Sequence, residues 1–189
     1  MVPDVIMWLH NKNSIYSVKL GYHIARLVSK EAAGMMGSSK QRRKELNWPK
    51  LWKYNLPRKI KVFGWRVCQG ILPTKENLSC RKIVEDSSCE LCRQGAETVL
   101  HVLWECGVAQ DVWAGSKVCL QKCTMARGDI LQLIEDSMAR LTVEDMELFF
   151  VQCWVIWNRR NSVLHGGSIQ DLSQLVCRAE DYLKEYREA

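Results

Sequence analysis

The sequence predicts a mostly α-helical protein organised around a short segment, residues 89–106, whose three cysteines and one histidine have the spacing of metal ligands. Apolar residues recur three and four positions apart through most of the 189-residue chain, which is the spacing of an amphipathic helix. No convincing alternation of apolar and polar residues, as expected of a half-buried strand, occurs outside residues 15–18. We therefore expect a small helical metal-binding domain followed by a C-terminal region resembling a helical hairpin.

Changes in composition divide the chain into three parts. Residues 29–45 combine Gly34, Gly37, Ser38 and Ser39 with a basic run at 40–44, which is typical of a flexible, solvated linker. We predict an N-terminal helical segment with a basic linker at 1–45. The metal-binding domain is predicted at 46–118 and the helical C-terminal region at 119–189.

The first helices begin and end at residues with known terminal preferences. Ser17 is placed to cap a helix that runs to about residue 28. Pro57 suits the first turn of a second helix, which Pro73 ends, and Thr74 caps a third that reaches about Arg81. The second helix has one predicted apolar face, made by Ile60, Phe63, Gly64, Val67, Cys68 and Ile71.

The C-terminal region is predicted to be helical throughout. A short helix is predicted at 129–139, and Thr142 with Asp145 resembles a capping box at the start of the next. Gly166 and Gly167 end that helix, and Ser168 is placed to cap a last one. The long helix carries an apolar stripe over more than four turns: Met146, Phe149, Phe150, Cys153, Trp154, Trp157 and Asn161.

The strongest functional signal is a quartet, Cys89, Cys92, His101 and Cys106, spaced C-x2-C-x8-H-x4-C. Three thiolates and one imidazole complete a tetrahedral zinc shell, so one structural zinc per chain is predicted, with no open position for catalysis. Positions 101 and 106 lie about 140° apart on an α-helix and would not share a face. His101 is therefore expected on a short helix that ends near residue 105, with Gly107 reversing the chain.

Alternatives to this quartet remain open from the sequence. Buried thiols with one hydrogen-bonded histidine would account for it without metal, and Cys80 is the nearest substitute ligand. A redox C-x-x-C pair would leave His101 and Cys106 unexplained, and no βαβ pattern surrounds it. The remaining cysteines are predicted to be small core residues: Cys68, Cys119, Cys123, Cys153 and Cys177. Three tryptophans are also predicted to lie in the core: Trp65, Trp154 and Trp157.

Cysteine usage and hydropathy indicate the cellular compartment of the protein. An odd cysteine count with metal-type spacing predicts a reducing, intracellular compartment rather than a disulfide framework, and we expect the nucleus rather than the cytoplasm. Apolar runs are short and broken by charge, so neither a membrane span nor a membrane partner is expected. No signal peptide is visible at the start of the sequence.

Positive charge is concentrated in one segment. Residues 40–82 hold 13 basic and 2 acidic residues, a net +11, whereas the rest of the chain sums to −5 against a total of +6. Such a concentration attracts phosphate backbones, although a solvated helix face is the alternative. We predict contact with nucleic acid, either RNA or an RNA–DNA hybrid, through six residues: Lys59, Lys61, Arg66, Lys75, Arg81 and Lys82.

Several short motifs fall in one order along residues 48–115. They include Leu51-Trp52, Leu56-Pro57-Arg58-Lys59, Ile71-Leu72-Pro73-Thr74, Cys89-Glu90-Leu91-Cys92, Glu97-Thr98, His101-Val102-Leu103, Cys106 and Val112-Trp113. This order resembles the zinc-binding domain of reverse transcriptases from plant LINE-type (non-LTR) retrotransposons. The flanks resemble the neighbouring segments of the same family, through Tyr16-Ser17-Val18-Lys19 and Trp157-Asn158-Arg159-Arg160-Asn161. The resemblance implies that all four members of the quartet are zinc ligands.

The departures from this family matter as much as the match. A polymerase palm would need paired aspartates to hold two metal ions, and the sequence contains no Asp-Asp pair. The family's RNase H-like domain would begin after residue 189. We therefore expect a non-catalytic fragment or truncated reading frame that binds nucleic acid, with the parent element's polymerase and RNase H-like domains as further partners. The alternative is a structural protein-interaction module of a truncated polyprotein, without independent activity.

Overall fold

The computed structural model describes residues 17–18, 21–24, 48–121, 128–167 and 172–189. The chain divides into two compact units, Met1–Lys44 and Glu45–Ala189. In the first unit the Gly21 amide donates to the Ser17 carbonyl at 2.9 Å, the first turn of the helix predicted to begin at Ser17. The predicted linker and two predicted features, the Ser168 cap and the Cys123 core position, lie outside the described residues.

The described part of the second unit is built from helices. No strand occurs among these residues, where pairing of extended backbone is limited to one isolated bridge between Ser88 and Ala96. The prediction of a mostly α-helical fold is therefore confirmed. In chain order the elements are α1 (Trp48–Lys53), α2 (Arg58–Cys68), α3 (Lys75–Cys80), a π-helical turn (His101–Glu105), α4 (Gly107–Ala114), α5 (Val118–Gln121), α6 (Ile130–Arg140), α7 (Val143–Leu164) and α8 (Leu172–Glu188).

Helix α7 lies at the centre of the second unit. Thr142 accepts a hydrogen bond from the Asp145 amide at 3.2 Å, so the predicted cap is present. Every residue from 146 to 153 is buried, because α2, α5, α8 and the π-helical turn all pack against this helix. The predicted one-sided stripe was therefore too narrow, since a helix that is buried all round is enclosed by its neighbours.

Two buried polar residues of α7 hydrogen-bond to neighbouring elements, although the Gln152 side-chain oxygen has no partner among the described residues. Glu147 accepts from the Asn55 amide at 2.5 Å and from Arg187 of α8 at 2.5 Å. Gln152 donates to the Val112 carbonyl at 3.3 Å and to the Ser116 hydroxyl. These bonds join α7 to the α1–α2 connection, to α4 and to α8. The domain boundary predicted near residue 118 stays a prediction.

Helix α2 buries the predicted face with one exception. Ile60, Phe63, Gly64, Val67 and Cys68 are buried, but Ile71 is 41% exposed. The helix ends at Cys68 rather than at Pro73, because Gly70 adopts φ +64° and the Ile71 amide bonds back to the Arg66 carbonyl at 3.1 Å. This is a Schellman closure, which needs a residue that tolerates the left-handed conformation.

Several predicted core residues lie at the surface instead. Cys68 and Cys153 are buried as expected, whereas Cys119 and Cys177 are exposed. Trp157 is 7% exposed, but Trp65 is 37% exposed because it lies off the buried face of α2. Among the described helices, none has the length and apolar character needed to cross a bilayer.

Candidate metal centre

A short hairpin presents the first two cysteines of the quartet. The Glu97 amide donates to the Ser87 carbonyl at 2.7 Å, and the Cys89 amide donates to the Gly95 carbonyl at 2.8 Å. Within the hairpin the Arg93 amide bonds to the Cys89 carbonyl at 2.8 Å, and Arg93 takes a left-handed φ of +55°. The turn predicted from the C-x-x-C spacing is therefore present, and it places both thiols on one tight loop.

A π-helical turn presents the other two ligands. The Cys106 amide donates to the His101 carbonyl, five residues earlier, at 2.7 Å. This wider winding closes each hydrogen bond over one more residue than an α-helix does, so positions 101 and 106 come to the same side. The expectation that they could not share a helical face applies only to α geometry. Gly107 does not reverse the chain either, since it begins α4 directly after Cys106.

The four ligand atoms converge as the donor set requires. They all lie within 4.8 Å of one another. The Cys89 and Cys106 sulfurs are 4.0 Å apart, and Cys92 Sγ lies 3.2 Å from His101 Nε2. Bond lengths of about 2.3 Å to sulfur and 2.0 Å to nitrogen give tetrahedral edges of about 3.5–3.8 Å. The residues present therefore fit zinc.

Burial and hydrogen bonding shift the thiol pKa values of this centre in opposite directions. Burial raises the pKa of the Cys89 thiol, and burial raises the pKa of Cys106 to about 12. Burial acts in the same direction at Cys92, but the Gln94 amide and the neighbouring thiols outweigh it and lower the pKa of Cys92. A divalent cation reverses the penalty for buried thiolates. Cys80 is exposed and lies outside the cluster.

A buried ion pair ties the hairpin to α7. Glu97 is fully buried, and its carboxylate accepts from Arg160 Nε at 3.3 Å, from Arg160 Nη2 and from the Lys75 amide at 2.8 Å. The Arg160 guanidinium also donates to Asn161 at 2.9 Å and lies 5.0 Å from the Trp157 ring centroid. Sequence reasoning missed this pair, although Glu97 and Arg160 each belong to a motif that carries the family resemblance.

Three of the six predicted nucleic-acid contacts have partners within the protein. Lys59 Nζ lies 4.7 Å from the Trp154 ring centroid and 4.9 Å from that of Tyr182. Lys61 donates to the Trp52 carbonyl at 3.0 Å. Lys75 pairs with Glu90 at 2.6 Å, a hydrogen bond that raises the pKa of the lysine. Exposed side chains make up the rest of the set: Arg66, Arg81 and Lys82.

The fold and donor set define a helical protein with a closed Cys3His zinc site, and comparison with known proteins agrees. Residues 29–113 match the family described as zinc-binding in reverse transcriptase. The resemblance drawn from the sequence motifs is thereby confirmed, and zinc is the metal that this family and this cluster support.

A plant relative extends the match beyond that segment. An Arabidopsis thaliana protein named "Putative ribonuclease H protein At1g65750" is 33% identical over 141 residues. The alignment covers 72% of this chain and 23% of the relative, so the chain spans about a quarter of that protein's length. No solved structure matches the chain.

Proposed function

We propose that the chain is a non-catalytic nucleic-acid-binding module of a retrotransposon reverse transcriptase. In this proposal zinc holds the hairpin and the π-helical turn, while α1, α2 and α3 contact template RNA or the RNA–DNA product. The observation that carries it is charge. Residues 48–82, which form these three helices and their connections, contain nine basic residues and one acidic residue. Such a surface attracts phosphate backbones whatever their sequence.

Exposed aromatic rings beside these cations support the same proposal. Trp52 is 45% exposed and Trp65 is 37% exposed. Lys61 donates to the Trp52 backbone, and it lies one helical turn before Trp65 on α2, so this lysine adjoins both tryptophans. Single-strand binding proteins combine a basic surface with aromatic rings on which bases stack. Trp52 and Trp65 are the residues we assign to stacking.

Paired charge reversals test the proposal. The variant Arg66→Glu/Arg81→Glu removes two exposed cations of the basic helices, and Arg140→Glu/Lys184→Glu, also exposed, makes the same charge change elsewhere. Arg66 and Arg140 each lie in the last turn of a helix, so these two substitutions are matched in position. Fluorescence anisotropy with a labelled single-stranded RNA, titrated over a range of salt, measures both affinity and salt slope.

We expect the first variant to bind more weakly and the control to bind nearly as the parent does. The slope of log affinity against log salt should fall by about 0.7 for each phosphate that the variant no longer neutralises. Equal losses of affinity in the two variants would contradict a localised binding face. The same preparation should extend no primer, because we assign it no catalytic carboxylate pair.

A structural interaction module is the second candidate. Lys59, Lys61 and Lys75 are engaged within the protein, so part of the basic charge serves the fold itself. In that case the exposed tryptophans would pack against the polymerase or RNase H-like domains of the parent element. Absence of salt-dependent RNA binding by the unmutated chain would favour this second candidate.

A further inference from the structure

A pocket of about 290 Å³ lies between α7 and α8. Its apolar lining includes Val155 and Leu175, both buried, and the half-buried ring of Trp154. Its polar lining comes from two arginines, an asparagine and a serine: Asn158, Arg159, Ser162 and Arg178. This volume is at the lower end of small-ligand pockets, so it suits one compact ligand rather than an extended chain.

Arg159 is the pocket residue whose hydrogen-bond donors indicate a ligand. Its Nε and Nη1 atoms are buried and have no hydrogen-bond partner among the described residues. Buried donor groups without an acceptor are unfavourable, and a guanidinium fork is suited to anionic oxygens. The adjacent Arg160 shows the contrast, because it is matched by Glu97 and Asn161. Two of the three Arg159 side-chain nitrogens, Nε and Nη1, therefore lack acceptors, and this half-buried side chain lines a pocket with room for an anion.

The groups that surround Arg159 favour a nucleotide over other anions as the ligand of this pocket. Arginine forks match phosphate oxygens with two parallel hydrogen bonds, and Arg178 places a second guanidinium in the same lining. Asn158 already donates to the Trp154 carbonyl at 2.9 Å, which leaves its side-chain oxygen as an acceptor for an amino group. Lys59 lies over the Trp154 ring and Tyr182 packs against it with ring centroids 5.5 Å apart, so Trp154 supplies an apolar wall of the pocket rather than a free stacking surface.

The pocket adjoins the basic helices. Lys59 of α2 lies 4.7 Å from the centroid of the Trp154 ring, and Trp154 lines the pocket. A nucleic-acid strand bound along α2 can thus extend into the pocket while it still contacts basic residues. We propose that the α7–α8 pocket binds one nucleotide unit of single-stranded nucleic acid, with its phosphate held by Arg159 and Arg178. This inference rests on the proposed function and identifies one place where the nucleic-acid strand binds.

The test uses the zinc-loaded full chain and two probes, adenosine 5′-monophosphate and a labelled single-stranded RNA. The variants are Arg159→Gln, Arg178→Gln and the control Arg140→Gln, which removes an exposed arginine from α6. We expect the mononucleotide to bind the parent protein. Either pocket variant should weaken both probes by about tenfold or more, as loss of a charge-assisted hydrogen bond does, and the control should change neither. Circular dichroism checks folding, and the exposed Arg178 provides a second variant if Arg159→Gln unfolds the chain.

The outcomes separate the two proposals. If the parent protein binds the RNA, but the mononucleotide does not bind and neither pocket variant changes RNA affinity, the pocket proposal fails and the proposed function stands. If the parent protein binds no RNA, the proposed function fails. Mononucleotide binding in that second case would mark a small-molecule site and would also overturn the pocket's role in gripping a strand.

Discussion

Replacing Glu97 by glutamine removes one charge from the buried pair that joins the zinc hairpin to α7. The side chains of Arg160 and Glu97 are 6% and 0% exposed, so solvent cannot compensate the arginine that remains. Breaking a buried pair by removing one partner costs about 3–5 kcal/mol, against a typical total stability of about 5–15 kcal/mol. We expect Glu97→Gln to lower the free energy of unfolding by an amount in that first range.

Urea denaturation of the zinc-loaded protein measures this loss, and the chain supplies its own control. Glu90→Gln breaks the Lys75–Glu90 pair, in which the Glu90 side chain is 53% exposed, so its cost should be at most about 1 kcal/mol. The double variant Glu97→Gln/Arg160→Met removes both charges and should cost less than the two single changes added together. A loss below about 1 kcal/mol for Glu97→Gln would refute the structural role of the pair.

Two further predictions concern packing and thiol reactivity. An alanine at Gly64 would place its Cβ 3.1 Å from the Phe150 ring and 3.4 Å from Leu51, and both neighbours are fully buried. The overpacking cost of about 1–3 kcal/mol should therefore outweigh the gain of about 1 kcal/mol in helix propensity, so Gly64→Ala should lower the melting temperature. Gly107→Ala, with no atom within 4 Å of a new Cβ, should be neutral or slightly stabilising in thermal melts; equal shifts would contradict the close packing at Gly64. Burial raises the pKa of Cys68 to about 12, whereas Cys80 and Cys177 are exposed. Alkylation near pH 8 followed by mass spectrometry should therefore label Cys80 and Cys177 well before Cys68, and early labelling of Cys68 would contradict its burial.

Local signals in the sequence predicted much of the fold. Thr74 and Thr142 accept the capping bonds expected of them, and the α2 and α7 helices follow their apolar spacing. These features depend on residues a few positions apart, so a single sequence contains them. The ligand quartet was predicted for the same reason, since its spacing is itself the signal.

Features that depend on tertiary packing were predicted less well. The all-round burial of residues 146–153 in α7 depends on how four other elements pack against the helix, and periodicity records only one face. The Glu97–Arg160 pair joins residues 63 positions apart, so no local pattern connects them. The π-helical turn was missed because α geometry was assumed between His101 and Cys106. Trp65 and Cys177 were assigned to the core on hydrophobicity alone, although helix faces decide exposure.

Metal analysis of the purified chain tests the central claim most directly. Zinc bound by Cys89, Cys92, His101 and Cys106 should appear at one ion per chain, with a binding free energy of about 10–16 kcal/mol coupled to folding. Cys92→Ser should lower the zinc content and destabilise the hairpin, whereas Cys80→Ser, outside the cluster, should leave both unchanged. A zinc content near zero in a protein that keeps its fold would contradict the account, because the quartet would then be a set of buried polar residues without a metal.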